Sequence, residues 1–269
     1  MTPYQFASAD ALLAAPDGFR VEHDAARERA DIVLDRPPLN VVSMRERDQL
    51  AAAFAALDRD PAIRVIVLRG AGANFSSGGN IAGFLEASPE HVSHLADNVA
   101  APERCAKPVI AAVRGYCFGV GFELALACDF RLASETAEFA LPEMRIGMIP
   151  GSGGSARLLQ MVGIARAKDM AMRARRVKAA EAAAWGFVTE CVPDAELDAA
   201  VARLVEELRA FSPLAQRTLK RVLNDGQHLS LKGAIELEGQ AYGRLRGSAD
   251  FREGVESFQA KRKPVFRGE

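Results

Sequence analysis

A chain of 269 residues with 49% apolar and 26% charged side chains has enough nonpolar surface for a core and falls among globular proteins, not disordered or fibrous ones. Its 34 Lys and Arg against 35 Asp and Glu leave a formal net charge of -1, which excludes the broad basic footprint of a nucleic-acid binder but leaves room for a local basic patch. No run reaches the ~20 apolar residues needed to span a bilayer, and neither the histidines nor Cys105, Cys117, Cys128 and Cys191 have metal-ligand spacing, so the thiols read as free in a reducing cytosol.

The first eighteen residues lack the basic and long apolar stretches of a signal peptide and read as an irregular arm, with a short helix over residues 9–14 that Ser8 would cap. FRVEHDAARERADIVLDRP alternates apolar and polar residues as two strands about a turn, and Pro37-Pro38 stops the second. RERDQLAAAFAALDRD has helical period, with Leu50, Phe54 and Leu57 on one face. RVIVLRG and KPVIAAVRG read as short buried strands. FELALACDFRLAS passes from helix into strand, and EFALPE turns at Pro142. This alternation predicts an α/β fold. Beyond Val162 the chain turns Ala-rich, with helical period over residues 165–172, 179–184, 198–210, 213–224, 231–246 and 250–261. The expected organisation is an arm over residues 1–18, an α/β core over 19–200 and a helical C-terminal part over 201–269.

Two glycine-rich segments each follow a strand: GAGANFSSGGNIAGF and GYCFGVGFELALACD. In the second, Gly119-Val120-Gly121 leads directly into a helix, whose unpaired N–H groups suit an anion or a developing oxyanion. Tight strand–helix packing explains one such turn equally well, whereas two side by side fit an oxyanion hole built from two places. The glycines lack the third position of a dinucleotide fingerprint, and there is neither a P-loop nor a G-x-S-x-G elbow. Glu123 in FELALAC and Glu143 in FALPEMRIG are carboxylates in apolar surroundings, where proton transfer near neutral pH becomes feasible. Taken singly, Glu143 also reads as a structural partner of Arg145 or Arg157, and Asp129 as a structural residue closing the helix.

The run KPVIAAVRGYCFGVGFELALACDFRLASETAEFALPEMRIGMIPGSGGSARL resembles the signature of the crotonase superfamily (the enoyl-CoA hydratase/isomerase family). NFSSGGNI resembles its first oxyanion segment, and REGVESFQAKRKPVF resembles the C-terminus of its hydratases. The resemblance implies a spiral of ββα units with a helical C-terminal trimerisation part, assembled as a homotrimer or a dimer of trimers. It implies an acyl-CoA substrate, no cofactor beyond the coenzyme A carried by that substrate, and oxyanion N–H groups on Gly79 and Val120. It also implies that Glu123 activates water and Glu143 protonates C2 of a 2-enoyl thioester. Gly119, Asn80 and Phe84 would line the substrate, and Phe258 and Lys261 would lie near the CoA nucleotide.

Three positions depart from the family pattern: Asn80 where Asp is usual, Val120 where Gly or Ala is usual, and MRARRVK before AAEAAAWGFV. Val120 is expected to crowd the oxyanion turn, and the Arg166–Lys178 cluster to be a solvated face. His91 and His94 are expected to face solvent. Both glutamates together favour a hydratase. The alternatives are isomerisation, hydration or hydrolysis of a cyclic acyl-CoA, and non-catalytic thioester binding.

Overall fold

In the computed structural model, residues 13–86, 88, 89, 92 and 95–269 are described. Ser8, most of the expected arm helix, His91 and His94 lie outside the described residues. β1 (Phe19–Asp24) and β2 (Arg29–Leu34) form an antiparallel hairpin, with Phe19 opposite Leu34. The capping box of Ser43 and Glu46 then starts α1 (Met44–Arg59): Ser43 Oγ accepts the Glu46 N–H at 3.1 Å, and Glu46 Oε2 accepts the Ser43 N–H at 3.2 Å. β3 (Val65–Gly70) follows, then the short helices α2 (Ile81–Glu86), α3 (Leu95–Val99) and α4 (Ala101–Arg104).

From here the next two strands of the main sheet are each followed by one in a second layer and then by a helix. β4 (Val109–Val113), β5 (Tyr116–Phe118) and α5 (Val120–Ala127) make one turn. β6 (Phe130–Ser134), β7 (Glu138–Ala140), a 3-10 turn at Glu143–Ile146 and α6 (Gly154–Met172) make the next. β8 (Val177–Lys178), α7 (Ala179–Trp185) and β9 (Glu190–Val192) complete the core. The main sheet runs β1-β2-β3-β4-β6-β9 and is parallel from β2 onward; the smaller runs β5-β7-β8. This is the expected spiral.

Strand alternation accounts for the two layers of core. Ile32, Ile66, Leu68, Val109, Ala111 and Val113 face the main cluster with Phe54, Phe122 and Phe139. Val65, Val67, Ile110, Ala112 and Leu132 face the opposite way, against Leu197, Val201 and Val205 of α8 (Leu197–Arg209). Both faces are covered, as a parallel sheet requires.

α6 corrects the sequence expectation of a helix over 165–172. It begins at Gly154, with Gly153 as N-cap at φ 95, and breaks at Gly163 with φ 76 and ψ 167. Two glycines thus mark its start and its kink. α9 (Pro213–Gly226), α10 (Leu231–Leu245) and α11 (Ala249–Gln259) follow. Lys220 of α9 ties them back to the core: its Nζ donates to Asp129 Oδ2 at 2.7 Å, Pro102 O at 2.9 Å and Lys107 O at 3.0 Å. Asp129 also accepts the Val109 N–H at 2.8 Å, which makes it structural, as expected. Leu231, Ile235, Tyr242 and Phe258 stand exposed on α10 and α11.

Candidate active site

The two glycine-rich segments meet edge to edge. Ser76 donates its N–H to Tyr116 O at 2.8 Å and accepts that of Phe118 at 2.9 Å, which extends the small sheet by a bridge between Ser76 and Cys117. At Gly121 a β-carbon would stand 2.6 Å from that of Ser76, so only glycine lets α5 approach this closely. Gly78 O accepts the Val42 N–H at 2.9 Å, and the Asn80 N–H donates to Val42 O at 3.0 Å. Gly79 lies between these two bonds, and its own N–H donates to no protein acceptor among the described residues. The N–H of Val120, first residue of α5, is likewise undonated there, while Gly119 donates to Ala140 O at 3.0 Å. Two free N–H groups therefore sit on adjoining segments, one at a helix N-terminus where the dipole adds positive potential.

The Val120 side chain is 3% exposed and belongs to the main core cluster.

Glu123 lies in the first turn of α5 and is 3% exposed. Its Oε1 accepts the N–H of Ser152 at 2.8 Å and of Gly154 at 3.1 Å, so the carboxylate is clamped at the start of α6. Two amide donors and a helix N-terminus complement its negative charge. Glu143 opens the 3-10 turn, and its Oε1 lies 3.1 Å from where a β-carbon on Gly119 would be. Its Oε2 is buried without a partner among the described residues. Burial, with the negative charge of Glu123 added, pushes the Glu143 carboxyl up to about 7, against the opposing effects of its own amide and of Arg47. Neither Arg145 nor Arg157 pairs with it among the described residues; Arg157 donates instead to Glu103, with Nε 2.9 Å from Oε2.

Phe84 reaches this site: its Cε2 stands 3.2 Å from the β-carbon position of Gly79. Asn80 is exposed beside it. Phe258 is 85% exposed, and Lys261, also exposed, sits just beyond the end of α11. No hydrogen bond, ring contact or ion pair among the described residues links either to Gly79, Gly119, Glu123 or Glu143. The basic cluster before α7 is only partly a solvated face, because Arg176 covers the Phe118 ring at 4.9 Å and Arg175 covers Trp185 at 5.4 Å.

The sequence reading missed Arg47. It is 3% exposed, its Nη1 donates to Ser152 Oγ at 3.4 Å, and its guanidinium lies 5.2 Å above the Phe84 ring centroid. The signal was present: Leu50, Phe54 and Leu57 continue one turn back to residue 47, which puts a charge on the buried face. Ser152 and Gly154 were missed because backbone donors leave no mark in side-chain identity.

The chain is similar to known proteins along most of its length. The family described as enoyl-CoA hydratase/isomerase matches residues 27–269. A Rhizobium meliloti protein named as a probable enoyl-CoA hydratase is 40% identical over 244 residues, covering 88% of this chain and 93% of that one. A carnitinyl-CoA dehydratase of Salmonella typhi is 36% identical over 253 residues, covering 88% and 94%. The crystal structure of an enoyl-CoA hydratase from Bacillus anthracis superposes with a TM-score of 0.87 at 32% identity, covering 94% of this chain and all of that one.

Proposed function

The chain belongs to the enoyl-CoA hydratase/isomerase family, and on that premise we propose that it adds water across the 2,3 double bond of a 2-enoyl-CoA thioester to give the 3-hydroxyacyl-CoA. The observation that carries this reading is the pair of carboxylates beside two free N–H groups. Attack of water on C3 drives electron density onto the thioester oxygen. The N–H groups of Gly79 and Val120 stand ready to hold that charge; one such donor typically contributes about 3–4 kcal/mol to the transition state. Glu123, clamped as a carboxylate by Ser152 and Gly154, takes a proton from the attacking water. Glu143, whose carboxyl burial raises to about 7, delivers a proton to C2. No cofactor enters beyond the coenzyme A of the substrate.

The same groups run the reverse elimination, the reaction named for the Salmonella relative. The exposed apolar side chains of α10 and α11 support assembly of the chain as a trimer or a dimer of trimers, which would bring a tail bearing Phe258 and Lys261 toward a site.

The test is a panel of linear and cyclic 2-enoyl-CoA thioesters followed by loss of the conjugated enone absorbance, with products weighed by mass spectrometry. Gain of one water per thioester is the expected result. A shifted double bond without gain of water would make the protein an isomerase, release of free acid a hydrolase, and binding without any change a non-catalytic thioester protein.

A further inference from the structure

Arg47 is a buried cation that the chemistry above does not use. Among the described residues its guanidinium donates one hydrogen bond, to the Ser152 hydroxyl at 3.4 Å, a long contact for a group with five N–H donors, and its Nε has no partner. Its guanidinium adjoins the first glycine-rich segment. Nη2 lies 2.8 Å from where a β-carbon on Gly79 would stand, next to the residue whose N–H is assigned to the thioester oxygen. The guanidinium lies over Phe84, and Ser152 below it also holds Glu123.

Burying a guanidinium without a matching acceptor is costly, and burial lowers its pKa here while Glu123, Glu46, Asp48 and Glu143 oppose that from a distance. A planar fork of donors is matched best by a carboxylate, which accepts two parallel N–H bonds. We propose that the acyl pocket is built for a short acyl chain bearing a carboxylate, which Arg47 recognises beside Gly79. This rests on the acyl-CoA reading for the place of the thioester. The chain is short because the guanidinium adjoins the oxyanion segment itself. A cationic acyl group, such as the trimethylammonium of a carnitinyl thioester, would meet like charge at this point, which sets the chain apart from its dehydratase relatives.

Two measurements separate this proposal from the hydratase reading. The first is binding of unreactive saturated thioesters, glutaryl-CoA against pentanoyl-CoA, by calorimetry on the intact protein. The wild type should bind the carboxylated thioester roughly 10–100-fold more tightly, the range of hydrogen bonds to charged groups. Arg47→Gln should abolish the preference, and Arg47→Lys, which keeps the charge but not the fork, should retain part of it. The second is the ratio of kcat/KM for glutaconyl-CoA over 2-pentenoyl-CoA, which should fall by a similar factor in Arg47→Gln. A binding preference without hydration of either enoyl thioester would leave the Arg47 proposal standing and overturn the hydratase reading. Hydration of both without a preference in the wild type would do the reverse. The wild-type comparison decides even where a variant fails to fold. A preference that survives in Arg47→Gln, or an equal loss on both thioesters, would also overturn the proposal, the latter by showing that Arg47 acts only on the glutamates.

Discussion

Glu143 fills the space that a side chain at Gly119 would need: its carboxylate Oε1 lies 3.1 Å from the point a β-carbon on Gly119 would occupy. The backbone of Gly119 has φ 50 and ψ -128, a region that side-chain-bearing residues avoid. Gly119→Ala should therefore cost about 1–3 kcal/mol of stability from backbone strain. It should also displace Glu143 and reduce turnover beyond what the lost stability explains. Thermal unfolding and kcat on the same sample check this, and a fully active, equally stable variant would count against the geometry.

Val120 separates backbone from side chain. Its side chain packs in the core, so Val120→Ala should lower stability by about 1–3 kcal/mol, yet keep hydration within about tenfold, because the N–H remains. Val120→Pro removes the donor and should cost ~10²–10³-fold in kcat. Coenzyme A binding and unfolding temperature serve as controls for misfolding. A folded proline variant with normal kcat would remove Val120 from the oxyanion hole.

The pH dependence has a definite sign. Glu143 must be protonated to deliver its proton, so kcat should fall as pH rises through about 7. Stability follows the same direction. The Glu143 carboxyl is raised from 4.5 to about 7 in the fold, so its contribution is complete below pH 4.5 and is lost as pH rises through about 7. Glu46, raised to about 7 chiefly by burial, adds to the same slope. Urea unfolding between pH 5 and 8 should show a shallower decline in Glu46→Gln than in the wild type; an unchanged slope would contradict the burial argument.

Lys220 holds the helical C-terminal part to the core through Asp129 and two carbonyls. Lys220→Met leaves the half-buried Asp129 without its counter-ion and should destabilise the protein by about 1.5–3 kcal/mol, the range of hydrogen bonds to charged groups. The midpoint of chemical denaturation measures it; a shift worth less than about 1 kcal/mol, the ordinary value of an exposed pair, would show that the anchor is dispensable.

Much of this was legible in the residues. Strand runs such as RVIVLRG and KPVIAAV are buried on both faces, and their Val and Ile announce it. Gly119 and Glu123 stood out because a glycine before a helix and a carboxylate in an apolar run are each exceptional. The start of α6 was hidden because Gly153 and Gly163 look like breaks, whereas one caps the helix and the other kinks it. The clamp on Glu123 was invisible because its donors are main-chain amides brought from 29 and 31 residues away. The direction of the Val120 side chain depends on how α5 packs, which no local pattern encodes.

The central claim is that Glu123 and Glu143 together move the protons of hydration, and the most direct measurement is kcat for a short 2-enoyl-CoA in Glu123→Gln and Glu143→Gln, each shown to be folded and to bind the thioester. Each glutamine variant keeps the side-chain shape but can neither accept the proton from water nor donate one to C2. Each should lose ~10²–10⁴-fold in kcat with binding retained. Near-normal turnover in either folded variant would contradict the two-glutamate mechanism.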